Sequence, residues 1–151
     1  MKGPLALCIS LLALSPTPVA AQACTPLQLS HRLILVPVML NGKGPFKFIF
    51  DTGAQMTTID ISIAKNLPRV QKVQLLVGGG TDARTVDARA LKSLIIGGLT
   101  VGPVAVLTFD MQPLKDKSGD IPEVVRILGA DVIGKAGALS VGYHKQCITI
   151  Q

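Results

Sequence analysis

Asp51-Thr52-Gly53-Ala54 follows directly on the run Phe46-Lys47-Phe48-Ile49-Phe50 and stands just ahead of Thr57-Thr58-Ile59. Phe46, Phe48 and Phe50 alternate in the period of a strand that turns one face to a core. The pattern therefore predicts a carboxylate leaving a buried strand at a tight turn. His31 to Leu40 reads as the preceding strand, with Leu33, Leu35 and Pro37 on one face and Ile34, Val36 and Val38 on the other. Apolar residues on both faces call for burial in a closed or double-layered sheet. Asn41-Gly42-Lys43-Gly44-Pro45 supplies the turn between the two runs, so a hairpin delivers Asp51.

Beyond that loop the reading is mainly of strands. Met56 to Ile59 is extended, and Asp60 caps a short helix that runs to about Asn66 and is stopped by Pro68. Gln71 to Val77 and Arg84 to Ala90 form a hairpin around a Gly78-Gly79-Gly80-Thr81 tip. Leu91 to Ile96 turns at Gly97-Gly98 into a strand from Leu99 to Phe109, and Gln112 to Glu123, with two prolines, is a surface loop. A final hairpin joins Leu139–Gly142 to Gln146–Ile150 through Tyr143-His144-Lys145. Strands at this spacing with two brief helices predict an all-β domain.

The first 23 residues read as a secretory signal peptide, with Lys2 ahead of an apolar run from Leu5 to Leu14 and small residues before Cys24. That run is well short of the roughly 20 residues a spanning helix needs. Residues 24–151 are then expected as one domain, exported to a bacterial periplasm and not inserted in the membrane. Cys8 leaves with the leader, and in an oxidising compartment Cys24 and Cys147 are expected to close as a disulfide, within one chain or between two. Lipidation of Cys24 has less support, since Ala21-Gln22-Ala23 lacks the usual large aliphatic residue. The net charge of +6 is scattered and only 3% of residues are aromatic, which argues against nucleic-acid binding. His31 and His144 are isolated and the cysteines lack ligand spacing. No metal and no cofactor are expected.

A second segment, Val124 to Gly134, reads as an apolar strand ending in Leu128-Gly129 and followed by a short helix. Together with Asp51-Thr52-Gly53-Ala54 it resembles the retropepsin-like aspartic proteases of single-lobe, secreted bacterial type. The resemblance runs from about Arg32 to Gln151. It implies a closed β-barrel lobe, with Asp51 as the catalytic acid and with Ile127, Leu128 and Gly129 packed behind its loop. Thr52 would hydrogen-bond across a two-fold axis, Gly53 would permit close backbone approach beside the acids, and small Ala54 would suit a tight loop. Gly78, Gly79, Gly80 and Thr81 would form a flap over an extended peptide or protein substrate, and the last strand would join a dimer sheet. Gln55-Met56 stand where viral relatives often place acidic residues, and no aromatic residue stands near the flap tip.

Peptide hydrolysis by this route needs two carboxylates sharing one proton, because like charges about 3 Å apart cannot both ionise. Asp60, Asp82, Asp87, Asp110, Asp116, Asp120 and Asp131 are each followed by something other than Thr-Gly or Ser-Gly. A homodimer that supplies Asp51 twice is the economical solution. Asp131 is expected to cap or anchor the helix that follows it. The alternative is a non-catalytic peptide- or protein-binding module of the same fold. A structural secreted domain with an inherited Asp-Thr-Gly turn is a third reading.

Overall fold

The computed structural model of the chain describes residues 23–30, 32–76, 83–111 and 126–150. In chain order the strands are β1 (Cys24–Pro26), β2 (Gln28–Ser30), β3 (Leu33–Leu40), β4 (Lys43–Phe50), β5 (Thr58–Asp60), β6 (Arg69–Leu76) and β7 (Ala83–Leu91). They continue with β8 (Leu94–Ile96), β9 (Leu99–Val101), β10 (Val104–Phe109), β11 (Arg126–Leu128), β12 (Leu139–Gly142) and β13 (Cys147–Ile150). Two one-turn helices, α1 (Ile61–Ala64) and α2 (Ala130–Ile133), complete the described elements. Among them no helix is long and apolar enough to cross a membrane.

The first hairpin forms where the alternating pattern requires it. Asn41 and Gly42 both have positive φ, 49° and 76°, the backbone of a two-residue turn that matches strand twist. Lys43-Gly44-Pro45, expected in the turn, instead opens β4. The Asn41 side chain also accepts the amides of Lys92 and Ser93 at 2.8 and 3.0 Å, so the turn is tied to the β7–β8 connection. Leu35, Val36, Val38 and Leu40 are buried, which accounts for the two apolar faces of β3. Phe48 is fully buried, and Phe46 and Phe50 pack half-buried against the same core.

The larger sheet runs β6-β7-β10-β5-β11-β4-β3-β8-β9, with β2 added to β3. No pairing among the described residues joins β6 to β9, so the expected closed barrel is not formed by these ladders. β6 pairs with β7 alone, while the other edge of β7 meets β10 from Asp87 to Leu91, and β9 pairs with β8 alone. The expected single strand from Leu99 to Phe109 is broken into β9 and β10 at Gly102-Pro103, because proline has no N–H to continue a ladder.

A second sheet, in the order β1-β13-β12, brings the ends of the described chain together. Cys24 and Cys147 are joined within the chain by a disulfide whose Cα atoms are 5.6 Å apart. β13 lies between β1 and β12, antiparallel to both. Both edges of β13, the strand expected to join a dimer sheet, are thus paired inside its own chain. Ile148, Leu139 and Val141 of this small sheet pack into the main core cluster, which also holds Val132 of α2.

Candidate active site

Asp51 sits at the end of β4, where the chain must cross to β5 without pairing with it. β11 fills the space between those strands, parallel to β4 through Ile127↔Ile49 and Leu128↔Phe50 and antiparallel to β5 through Ile127↔Thr58. The loop of residues 51–57 thus arches over the end of β11. The Asp51 amide donates to the Leu128 carbonyl at 3.1 Å, and the Ala130 amide donates to the Ala54 carbonyl at 2.8 Å. Ile127 and Leu128 are therefore placed behind the loop, with Leu128 wholly buried.

Within the loop, the Gly53 amide donates to Asp51 Oδ1 at 2.8 Å, a local turn in which an aspartate accepts from the backbone two residues on. This bond orients the carboxylate. Asp51 is half-buried while Thr52 and Gly53 are exposed, so the loop presents its tip to solvent. Ala54 is half-buried and Gln55 exposed. Thr52 makes no side-chain hydrogen bond among the described residues.

A second anchor lies at Thr57, which has no exposed surface. Its amide and its hydroxyl both donate to Asp131 Oδ1, each at 2.8 Å. The same hydroxyl oxygen accepts the Gly129 amide at 3.1 Å. Gly129 has to be glycine here, because a Cβ would lie 2.6 Å from the Met56 carbonyl carbon and 2.8 Å from the Thr57 amide nitrogen. Asp131 does not cap its helix: Gly129 occupies the cap position of α2 and makes no side-chain cap bond. The carboxylate reaches back 74 residues instead, to hold the loop. Its Oδ2 is buried without a hydrogen-bond partner among the described residues.

Asp60 has the local role its position suggests, accepting the Ser62 amide at 2.8 Å at the start of α1 and contacting the Ser62 hydroxyl. It is buried and also accepts the Met111 amide at 3.2 Å, so its oxygens are engaged in structure. Arg126 lies near it, with its guanidinium 4.9 Å from the Phe46 ring centroid. Burial lowers the Arg126 pKa, and the negative charge of Asp60 opposes that shift. Asp87 is paired with Arg69 at 2.7 Å and lies 3.9 Å from Arg89. Gly78, Gly79, Gly80 and Thr81 lie outside the described residues. The arms that lead to them, β6 and β7, pair from Arg69↔Arg89 to Leu76↔Ala83. Val73, Leu75 and Val86 of those arms cluster with Met56 from the Asp51 loop, which sets one face of the hairpin beside that loop. A groove of about 550 Å³ involving Lys72, Arg84, Asp87 and Asp110 contains none of Asp51–Ala54 in its wall.

Sequence reasoning placed Asp51 and its backing strand and missed Thr57 as the point where loop and helix meet. The only local signal was a buried-side hydroxyl in an extended run. The family comparison takes in all of these parts, since an aspartyl protease family model matches residues 36–132. The chain belongs to the aspartyl protease family. This aspartyl protease family member is similar in fold to the crystal structure of a retropepsin-like aspartic protease from Rickettsia conorii. That likeness covers 86% of this chain and 89% of that chain, with a TM-score of 0.56 and 14% identity. The retroviral protease-like domain of Ddi1 from Leishmania major is matched over 79% of this chain and 88% of that chain, with a TM-score of 0.49 and 16% identity. No curated protein matches the chain significantly.

Proposed function

We propose that the protein is an aspartic endopeptidase that works as a homodimer, each subunit contributing Asp51 to one site. The observation that carries this reading is the seating of Asp51, with its carboxylate oriented by the Gly53 amide and its loop held by Leu128, Gly129 and Asp131. A group held this firmly at an exposed turn is preorganised for chemistry. The family match spans the loop and its supporting strand. In the reaction, the ionised Asp51 accepts a proton from water as the water oxygen attacks the scissile carbonyl carbon. The protonated Asp51 of the other subunit hydrogen-bonds to the carbonyl oxygen as negative charge develops there. Collapse of the tetrahedral intermediate breaks the C–N bond, and the leaving nitrogen takes the proton that Asp51 accepted from the water, which returns that carboxylate to its ionised form.

Thr52 and Gly53, at the exposed tip, make the contacts across the two-fold axis in this reading. Gly78, Gly79, Gly80 and Thr81 form the flap that closes on an extended peptide, and the lobe closes as a barrel. A leader at residues 1–23 directs the protein to the periplasm. The test is cleavage of a mixed peptide library by wild type beside Asp51→Asn, with sedimentation run on both. Cleavage by wild type and a loss of at least about a thousandfold in Asp51→Asn, with oligomeric state unchanged, supports the proposal. A folded dimer that cleaves nothing in either form supports the peptide-binding module instead.

A further inference from the structure

The two faces of the β6–β7 hairpin differ in charge. Lys72 stands opposite Asp87 across the ladder and Gln74 opposite Thr85, so these four side chains share one face. Val73↔Val86 and Leu75↔Arg84 lie on the other face, which continues onto β10 through Ala88↔Leu107. Val86, Ala88 and Leu107 are buried on this second face, and Val73, Leu75 and Phe109 pack half-buried against them. Among the described residues of the three strands, Arg84 is the only charged one on that face.

Met56, near the end of the Asp51 loop, packs in the same cluster, so this is the face set beside that loop. Gln55 and Met56 bring no charge to it. Arg84 is exposed, and its guanidinium lies 5.8 Å from the centroid of the Phe109 ring. No carboxylate pairs with it among the described residues. Attraction to the ring holds the guanidinium in place without using any of its N–H donors.

A guanidinium with open donors at the end of an apolar wall suits a carboxylate, which its planar fork can meet with two hydrogen bonds. Arg84 and Val86 are two residues apart on one strand, about 6.5 Å. Side chains two apart on an extended peptide have the same spacing and point the same way. One peptide can therefore engage the cation and the apolar wall together.

We infer that Arg84 sets a substrate preference. The protein takes extended peptides that carry an aspartate or glutamate two positions from a large apolar residue, the acid on Arg84 and the apolar side chain against Val73, Leu75 and Met56. This rests on the endopeptidase reading, which gives the peptide its place in front of Asp51.

The test sequences the cleavage products of a mixed peptide library digested by wild type, Arg84→Gln and Arg84→Glu, each checked for native circular dichroism. Wild type should enrich aspartate and glutamate at one position, two removed from an enriched apolar one. Arg84→Gln should lose the acidic enrichment and keep the apolar one, and Arg84→Glu should enrich lysine and arginine where wild type took acids. For two peptides that differ only by glutamate or glutamine there, kcat/KM should favour the acid at least about tenfold in wild type, chiefly through KM, and not at all in Arg84→Gln. Cleavage without an acidic preference, or with the same preference in Arg84→Gln, overturns the role of Arg84 and leaves the endopeptidase reading intact. Binding is read separately on Asp51→Asn, with and without Arg84→Gln, by the anisotropy of a labelled peptide with glutamate two positions from leucine and of its glutamine counterpart. Tighter binding of the acidic peptide, lost with Arg84→Gln, supports the inference even where wild type cleaves nothing, an outcome that overturns the endopeptidase reading alone. Equal binding of the two peptides overturns the inference.

Discussion

Thr57 connects two parts of the chain that are far apart in sequence, through two bonds to Asp131 and one from Gly129. Replacing it with valine keeps the β-branch and removes the hydroxyl, leaving the Gly129 amide without that acceptor. Asp131→Ala removes the other end of the same link. Each change should lower stability by about 1–3 kcal/mol, the usual cost of an unsatisfied buried polar group, read from urea midpoints. Asp131→Asn should lie close to wild type, because its side-chain oxygen can still accept from both the amide and the hydroxyl of Thr57. The double variant Thr57→Val with Asp131→Ala should cost clearly less than the sum of the two, since both remove one shared interaction. Additive losses would mean that the two residues act separately.

Elements defined by local pattern could be read from the sequence, and those defined by distant pairing could not. Phe46, Phe48 and Phe50 announce β4 by their period, and Asp60 announces α1 because its bond to Ser62 spans only two residues. β11 is legible as an apolar run ending in Leu128-Gly129, but its place between β4 and β5 is set only by the fold. The sequence offers no local sign that Asp131 points to Thr57 rather than to its own helix. The same limit hid the order of the terminal sheet, where β13 pairs with the first described strand. That sheet depends on the disulfide, which links residues 123 apart while β1 adds only three ladder pairs. Joining positions this distant restricts the unfolded chain strongly, so reduction, or Cys24→Ala with Cys147→Ala, should lower stability by about 2–5 kcal/mol. Hydrogen exchange should show Thr25 losing protection while Phe48, fully buried in β4, keeps its own. Equal loss at both would mean that the terminal sheet and the core unfold as one unit.

At the scale of the molecule, the proposed site, assembled from two copies, has a kinetic signature. Initial rate should rise with the square of protein concentration below the dissociation constant of the dimer and linearly above it. A strictly linear rate at all dilutions would indicate a complete site in one chain. The placement of β11 has a consequence of another kind, in the order of events as the chain is made. β4 and β5 are neighbours in sequence, yet they never pair, because the slot between them belongs to Arg126–Leu128. Long-range pairing of this sort is slow to form. A nascent chain that has emerged only as far as β10 already carries Asp51 but has nothing to seat it. The acid is synthesised early and put in position late, so an unfinished or truncated chain carries Asp51 without the strand that backs its loop.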